Sequence, residues 1–220
     1  MNGLLVSPHL DDAVFGCGRW LAAHPGTCVV TVLASLPPRP ERLTDWDRQC
    51  GFDSAGQAMQ ARREEDEAAL QAVGAQWRWL PFLDSQYDQS PGVDEVAAVL
   101  ATLLQDLPAE APLLLPMGLF HSDHVLVHEA ALQALRSSGR RSAIGYEEAL
   151  YRVMPGLLQQ RLVALAQAGI TATPWPDPPQ GDEAAKARAI AAYTSQARAF
   201  GPDGLHDTQR PERFWQLTLD

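Results

Sequence analysis

The sequence predicts an α/β protein of Rossmann-like type, a mostly parallel sheet with helices on both faces. Three observations carry this reading. Short apolar runs rich in Val and Leu alternate with longer stretches at helical spacing. The runs are apolar at successive positions, as in parallel strands buried on both faces. No internal repeat and no linker divides the 220 residues, so 1–220 is read as a single domain, long enough to bury a core.

Residues 4–6 and 29–33 read as the first two strands. Residues 59–73 read as a helix, with Ala and charged residues at helical spacing and Gly74 as its stop. A third strand is expected over 77–80, a second helix over 93–107 and a fourth strand over 113–115. A helix over 125–135, a strand over 143–146, a long final helix over 183–200 and a closing strand over 214–219 complete the set. Segments 35–55 and 174–181 are rich in Pro, Gly and Asp and read as surface loops.

Composition narrows the function. Hydrophobic residues at 46% and charged residues at 20% are ordinary for a soluble globular chain. A net charge of -10 argues against a nucleic-acid surface, which needs clustered Lys and Arg. Cys17, Cys28 and Cys50 are odd in number without CxxC spacing, so reduced thiols and a cytoplasmic location are expected. The start runs into Gly3-Leu4-Leu5-Val6 with no basic leader, so no signal peptide is expected. No apolar run approaches the ~18–20 residues of a membrane span.

In such a sheet, ligands bind beyond the carboxyl ends of the strands. Pro8-His9-Leu10-Asp11-Asp12 follows the first strand, and residues 118–124, ending in His121-Ser122-Asp123-His124, follow the fourth. A catalytic Zn2+ takes three protein ligands and leaves one position open. His9 and Asp12, three apart where a turn enters a helix, can point the same way, and His124 can supply a third ligand. Asp11 between them is free for another task. The ordinary reading of Asp11-Asp12 is a helix N-cap with its dipole partner. Two polar clusters converging on one sheet edge outweigh it.

Pro8-His9-Leu10-Asp11-Asp12 resembles the PHPDD signature of the PIG-L/LmbE-like family of zinc-dependent N-acetylglucosaminyl deacetylases, and His121-Ser122-Asp123-His124 resembles its HPDH segment. Arg62, Glu65 and Gly74 match its RxxE helix ending in glycine. Lys186, Tyr193, Ser195 and Gln196 are similar to its late K…YxSQ helix. The likeness runs from about residue 4 to 196 in the expected order. Leu10 stands where the family has proline, and Ala13 where an acidic residue often follows.

The resemblance implies an LmbE-like fold and removal of an acetyl group from a small N-acetylated amino sugar or its conjugate. His9, Asp12 and His124 would hold Zn2+, although two histidines and a carboxylate also suit Fe2+ or another divalent metal. Asp11 would be general base, and a protonated His121, kept charged by Asp123, would stabilise the oxyanion. Asp123 is alternatively a helix cap. Arg62 is expected to bind substrate, against a plain ion pair with Glu65, and Tyr193 and Gln196 are expected at the substrate site, against core packing. Val125 follows His124 where a zincin motif needs Glu, so His128 reads as a surface histidine. A competing reading is a non-catalytic metal- or sugar-binding relative. Asp11, which metal binding does not require, argues against it.

Overall fold

The computed structural model describes residues 2–178 and 181–220. The elements run β1 (Leu4–Ser7), α1 (Asp12–Ala23), β2 (Cys28–Thr31), α2 (Asp45–Gln49), α3 (Ala55–Ala72), β3 (Gln76–Trp79), α4 (Val93–Gln105) and β4 (Leu113–Pro116). There follow α5 (Ser122–Ser137), β5 (Ser142–Tyr146), α6 (Leu157–Gln167), β6 (Ile170–Trp175), α7 (Glu183–Ala192), α8 (Thr194–Phe200) and β7 (Phe214–Leu219). One sheet has the order β3-β2-β1-β4-β5-β7-β6. Strands β1 to β5 pair in parallel, and β7 runs antiparallel to both β5 and β6. The mixed α/β class with a mostly parallel sheet is as the sequence predicts.

Successive strand residues supply opposite faces. Leu4, Val6, Leu113 and Leu115 enter the core beneath α4 and α5, while Leu5, Val29 and Leu114 enter the core beneath α1, α3 and α7. Gly74 ends α3 with φ +71, a left-handed turn that glycine takes without steric cost. No helix among the described residues is long and apolar enough to cross a membrane.

Four differences from the sequence reading have physical causes. Helix α1 hides behind Gly16 and Gly18 and is kinked at Cys17. The kink is bridged from outside: Lys186 Nζ donates to Phe15 O at 3.1 Å, and the Glu212 carboxylate accepts from Arg19 N at 2.7 Å and Trp20 N at 3.0 Å. The expected helix 183–200 breaks at Tyr193 because Glu65 gives α8 its own cap, accepting from Ser195 N at 2.8 Å and Ser195 Oγ at 2.6 Å. The expected loop 174–181 starts inside edge strand β6, where Pro174 is tolerated; residues 179 and 180 lie outside the described residues. Segment 35–55 contains α2, which lines the cavity described below.

His128 is a correction: it is buried, 1% exposed, because α5 is apolar on the face that carries it. Its Nδ1 donates to Pro116 O at 2.7 Å, and Nε2 has no partner among the described residues. Burial, then Arg161, pushes its pKa down to about 4. The unfolded chain binds this proton near 6.5 and the folded chain only near 4, so stability present above pH 6.5 is lost as pH falls through that window. The difference is worth about 3 kcal/mol. His128→Gln is therefore expected to lose less stability than wild type between pH 7 and 4.5 in urea unfolding. Parallel curves for the two proteins would refute the assignment.

Candidate metal centre and its cavity

Strands β1 and β4 are neighbours at the centre of the sheet, and the chain leaves them in opposite directions, to β2 and to β5. This reversal opens a crevice at their carboxyl ends. His9, Asp11 and Asp12 enter it from β1, and His121 and His124 from β4.

The expected ligands meet. Asp12 Oδ2 lies 3.2 Å from His9 Nδ1 and 3.2 Å from His124 Nε2. The three ligand atoms lie within 4.8 Å of one another. The opposite ring nitrogens are held as well, His9 Nε2 by Asp123 Oδ2 at 3.1 Å and His124 Nδ1 by Glu148 Oε1 at 3.3 Å. A carboxylate behind each imidazole fixes the tautomer that turns the other nitrogen toward a metal. The donor set of two histidines and one carboxylate suits a divalent ion. Burial disfavours charge on either ring, yet Asp12 and Glu148 hold His124 up at about 9, and Asp12 and Asp123 raise His9 well above its usual value. Burial opposes ionisation of Asp12 too, but His124 and His9 hold it well below the carboxylate range. The cluster attracts positive charge, and an ion binding there displaces protons.

Asp11 occupies the N-cap position of α1 without making the side-chain cap bond. Ser7 Oγ takes the amide of Ala13 instead, at 3.1 Å, which leaves the Asp11 carboxylate facing the cavity. Burial and the adjacent Asp12 push it up to about 7.

The expected His121–Asp123 pair is not formed as such. Asp123 Oδ2 serves His9 and accepts from Ser85 Oγ at 2.9 Å, while His121 Nδ1 stands 3.8 Å off. His121 is itself the cap of α5, its Nδ1 accepting from Asp123 N at 3.3 Å. Burial and the neighbouring His9 push its pKa down. A ring that accepts at Nδ1 is neutral and keeps Nε2–H as its donor. His121 is thus a neutral donor in the cavity, and Asp123 orients His9.

Arg62 does not pair with Glu65. It reaches Asp47 Oδ1 at 2.9 Å, donates to Tyr87 Oη at 3.4 Å, and lines the cavity with no partner for Nε among the described residues. Gln196 also lines the cavity. Tyr193 does not: it is 1% exposed and donates to Asp66 Oδ1 at 2.9 Å, so the substrate-binding expectation is corrected. His206 is exposed and stands outside the cavity.

Sequence reasoning missed Glu148, Tyr151 and the edge-to-face pair Trp46–Phe200, whose rings are 5.2 Å apart in the cavity wall. The signal for Glu148 was present: Glu147-Glu148 directly follows buried β5 at the same sheet edge. Glu148 Oε1 also accepts from Gly118 N at 2.6 Å and Leu119 N at 3.0 Å, while Oε2 has no partner among the described residues. Glu148→Gln keeps an oxygen for both amides but loses the charge facing His124. It is expected to leave the fold intact and weaken metal affinity by about 10–100-fold. Chelator competition measures this, and an unchanged affinity would reduce Glu148 to a loop anchor.

Fold and site together define a protein whose parallel sheet presents, at its switch point, a two-histidine, one-carboxylate group fitted to a divalent ion beside a cavity of about 490 Å³. The chain belongs to the family described as PIG-L: GlcNAc-PI de-N-acetylase, which matches residues 4–135. The 2'-N-acetylparomamine deacetylase of Streptomyces fradiae is 31% identical over 150 residues, 62% of this chain and 53% of that one, so the match spans about half of that relative. Among solved structures, a deacetylase triple mutant of the teicoplanin biosynthetic pathway is 26% identical with TM-score 0.76, covering 100% of this chain and 99% of the other. The A40926 pseudoaglycone deacetylase Dbv21 shares the fold at 23% identity and TM-score 0.73, covering 99% and 96%.

Proposed function

We propose that this chain, residues 1–220 as one domain, is a zinc-dependent de-N-acetylase that removes the acetyl group of a small N-acetylated amino sugar or its conjugate. The observation that carries the reading is the grouping of His9, Asp12 and His124 in one cavity with a carboxylate, Asp11, that makes no side-chain cap bond to its helix and stands outside that group. The N-acetylparomamine that the Streptomyces fradiae relative is named for points to the same class. The three unpaired, buried cysteines suit the cytoplasm.

When bound by His9, Asp12 and His124, Zn2+ supplies Lewis acidity and lowers the pKa of a water toward neutrality. Asp11 takes the proton of the attacking water and returns one to the departing amine. His121 donates Nε2–H to the acyl oxygen as it gains charge. Asp123 and Glu148 keep the two ligand rings in register. Arg62 and Gln196 bind the polar edge of the sugar from the cavity wall.

The test is a screen of N-acetylated amino sugars and their glycosides for free-amine release, using protein loaded with one defined metal at a time. Zn2+-dependent release supports the reading, and Fe2+ is the competing metal for this donor set. Metal binding with no release from any sugar would favour a non-catalytic sugar-binding relative.

A further inference from the structure

The protein has four tyrosines, and three of their hydroxyls are spent on internal hydrogen bonds. Tyr87 Oη donates to Asp47, Tyr146 Oη to Val6 O at 2.9 Å, and Tyr193 Oη to Asp66 Oδ1 at 2.9 Å. Tyr151 is the exception. Its hydroxyl has no partner among the described residues, and it is the one tyrosine that lines the cavity. A phenol that is neither a structural tie nor an exposed surface group is placed for something that enters.

Its placement is held from three sides. The ring stands edge-on to ligand His124, centroids 5.0 Å apart at 90°. Its other side stacks on Phe120 at 5.5 Å and 29°. The backbone is pinned on both flanks, by Leu150 N donating to Asp207 Oδ2 at 2.9 Å and by Arg152, whose Nε reaches Asp207 Oδ2 at 2.8 Å and Nη2 reaches Asp207 O at 2.7 Å. Phe120 and Leu150 both take the left-handed backbone region, φ 60 and φ 72. Bulky residues take this region only at a steric cost. Two such residues next to His121 and Tyr151 mark strain held at the cavity mouth.

We infer that Tyr151 is a further catalytic residue, whose hydroxyl donates a hydrogen bond to the acetyl carbonyl oxygen as that oxygen becomes an oxyanion. This rests on the deacetylase reading. The water oxygen bonds to the carbonyl carbon while Asp11 accepts the water proton, and the C=O π pair moves onto the acyl oxygen. That oxygen is held by Tyr151 Oη–H together with His121 Nε2–H. When the C–N bond breaks, the pair returns to re-form C=O, and the amine nitrogen takes the proton from Asp11. Tyr151 keeps its own proton throughout. Both donors neighbour His124, whose ring is 5.7 Å from that of His121 and 5.0 Å from that of Tyr151.

The experiment compares wild type with Tyr151→Phe, both metal-loaded and full length. The variant retains the stack and the edge contact and removes a hydroxyl with no partner among the described residues, so Tm and metal affinity stay at wild-type values. The expected loss in kcat is about 10²-fold, the scale for one oxyanion donor. KM stays within about threefold, because the bond forms only in the transition state. Binding of acetohydroxamate, whose carbonyl oxygen stands in for the acyl oxygen, is measured alongside and weakens about tenfold, the worth of one hydrogen bond to a charged group. Wild-type kcat, or a loss confined to KM with unchanged hydroxamate binding, overturns the role and leaves Tyr151 a packing surface for the sugar. Absence of turnover in wild type would overturn the deacetylase reading, while the hydroxamate comparison would still decide the role of the hydroxyl.

Discussion

Asp11→Asn is expected to keep its metal and lose at least ~10²-fold in turnover, the usual scale for a missing general base. The reasoning starts from what Asp11 does not do. Its carboxylate makes no cap bond to α1, since the Ala13 amide is taken by Ser7 Oγ at 3.1 Å, and it stands outside the His9–Asp12–His124 trio. It is nonetheless in the cavity, where burial and the adjacent Asp12 push its pKa up to about 7. Asparagine matches its size and removes only the basicity. Metal content per chain, measured beside free-amine release, separates the outcomes. Near-wild-type turnover would sink the role, and a loss of bound metal would make Asp11 a ligand.

The grouping of His9, Asp12 and His124 was legible in the sequence because these residues sit next to strand ends, and the order of strands and helices places those ends together whatever the rest of the chain does. The groups behind the trio were not. Glu148 is 24 residues from His124, and Asp123 is 114 from His9; each pair meets only through the sheet order. Local spacing even misled, since Asp123 is two residues from His121 yet bonds to a ring on another strand end. Lys186, Glu65 and Tyr193 were readable as a motif but not as a role. They hold the α1 kink, cap α8 and anchor Asp66, so the motif marks how helices α1, α3, α7 and α8 lock together more than what touches substrate. Gln196, carried on α8, lines the cavity as expected. Helix α1 itself was obscured by Gly16 and Gly18, whose helix cost is offset by contacts from Lys186 and Glu212 that no local pattern reveals.

His121→Ala is expected to lower kcat by about 10²–10³-fold and to leave the alkaline limb of the pH profile in place. The first part follows from the geometry, a ring in the cavity with Nδ1 occupied by the Asp123 amide and Nε2–H without a partner among the described residues. The second part reverses the expectation of a charged His121. A ring accepting at Nδ1 carries no proton there, and burial together with His9 already pushes its pKa down. A divalent ion close by adds further positive charge and moves it the same way. A ring held this way is neutral, and raising the pH removes nothing from it. The neutral imidazole still works as an electrophile, at some cost in strength compared with an imidazolium. An alkaline fall in kcat/KM must then come from other groups of the site, and it persists in the alanine variant. Measurement of kcat/KM from pH 5.5 to 9.5 at fixed metal occupancy decides the matter. If the alkaline limb disappears with the side chain, His121 is charged in the working enzyme after all. If turnover is undiminished at every pH, the oxyanion is held without it.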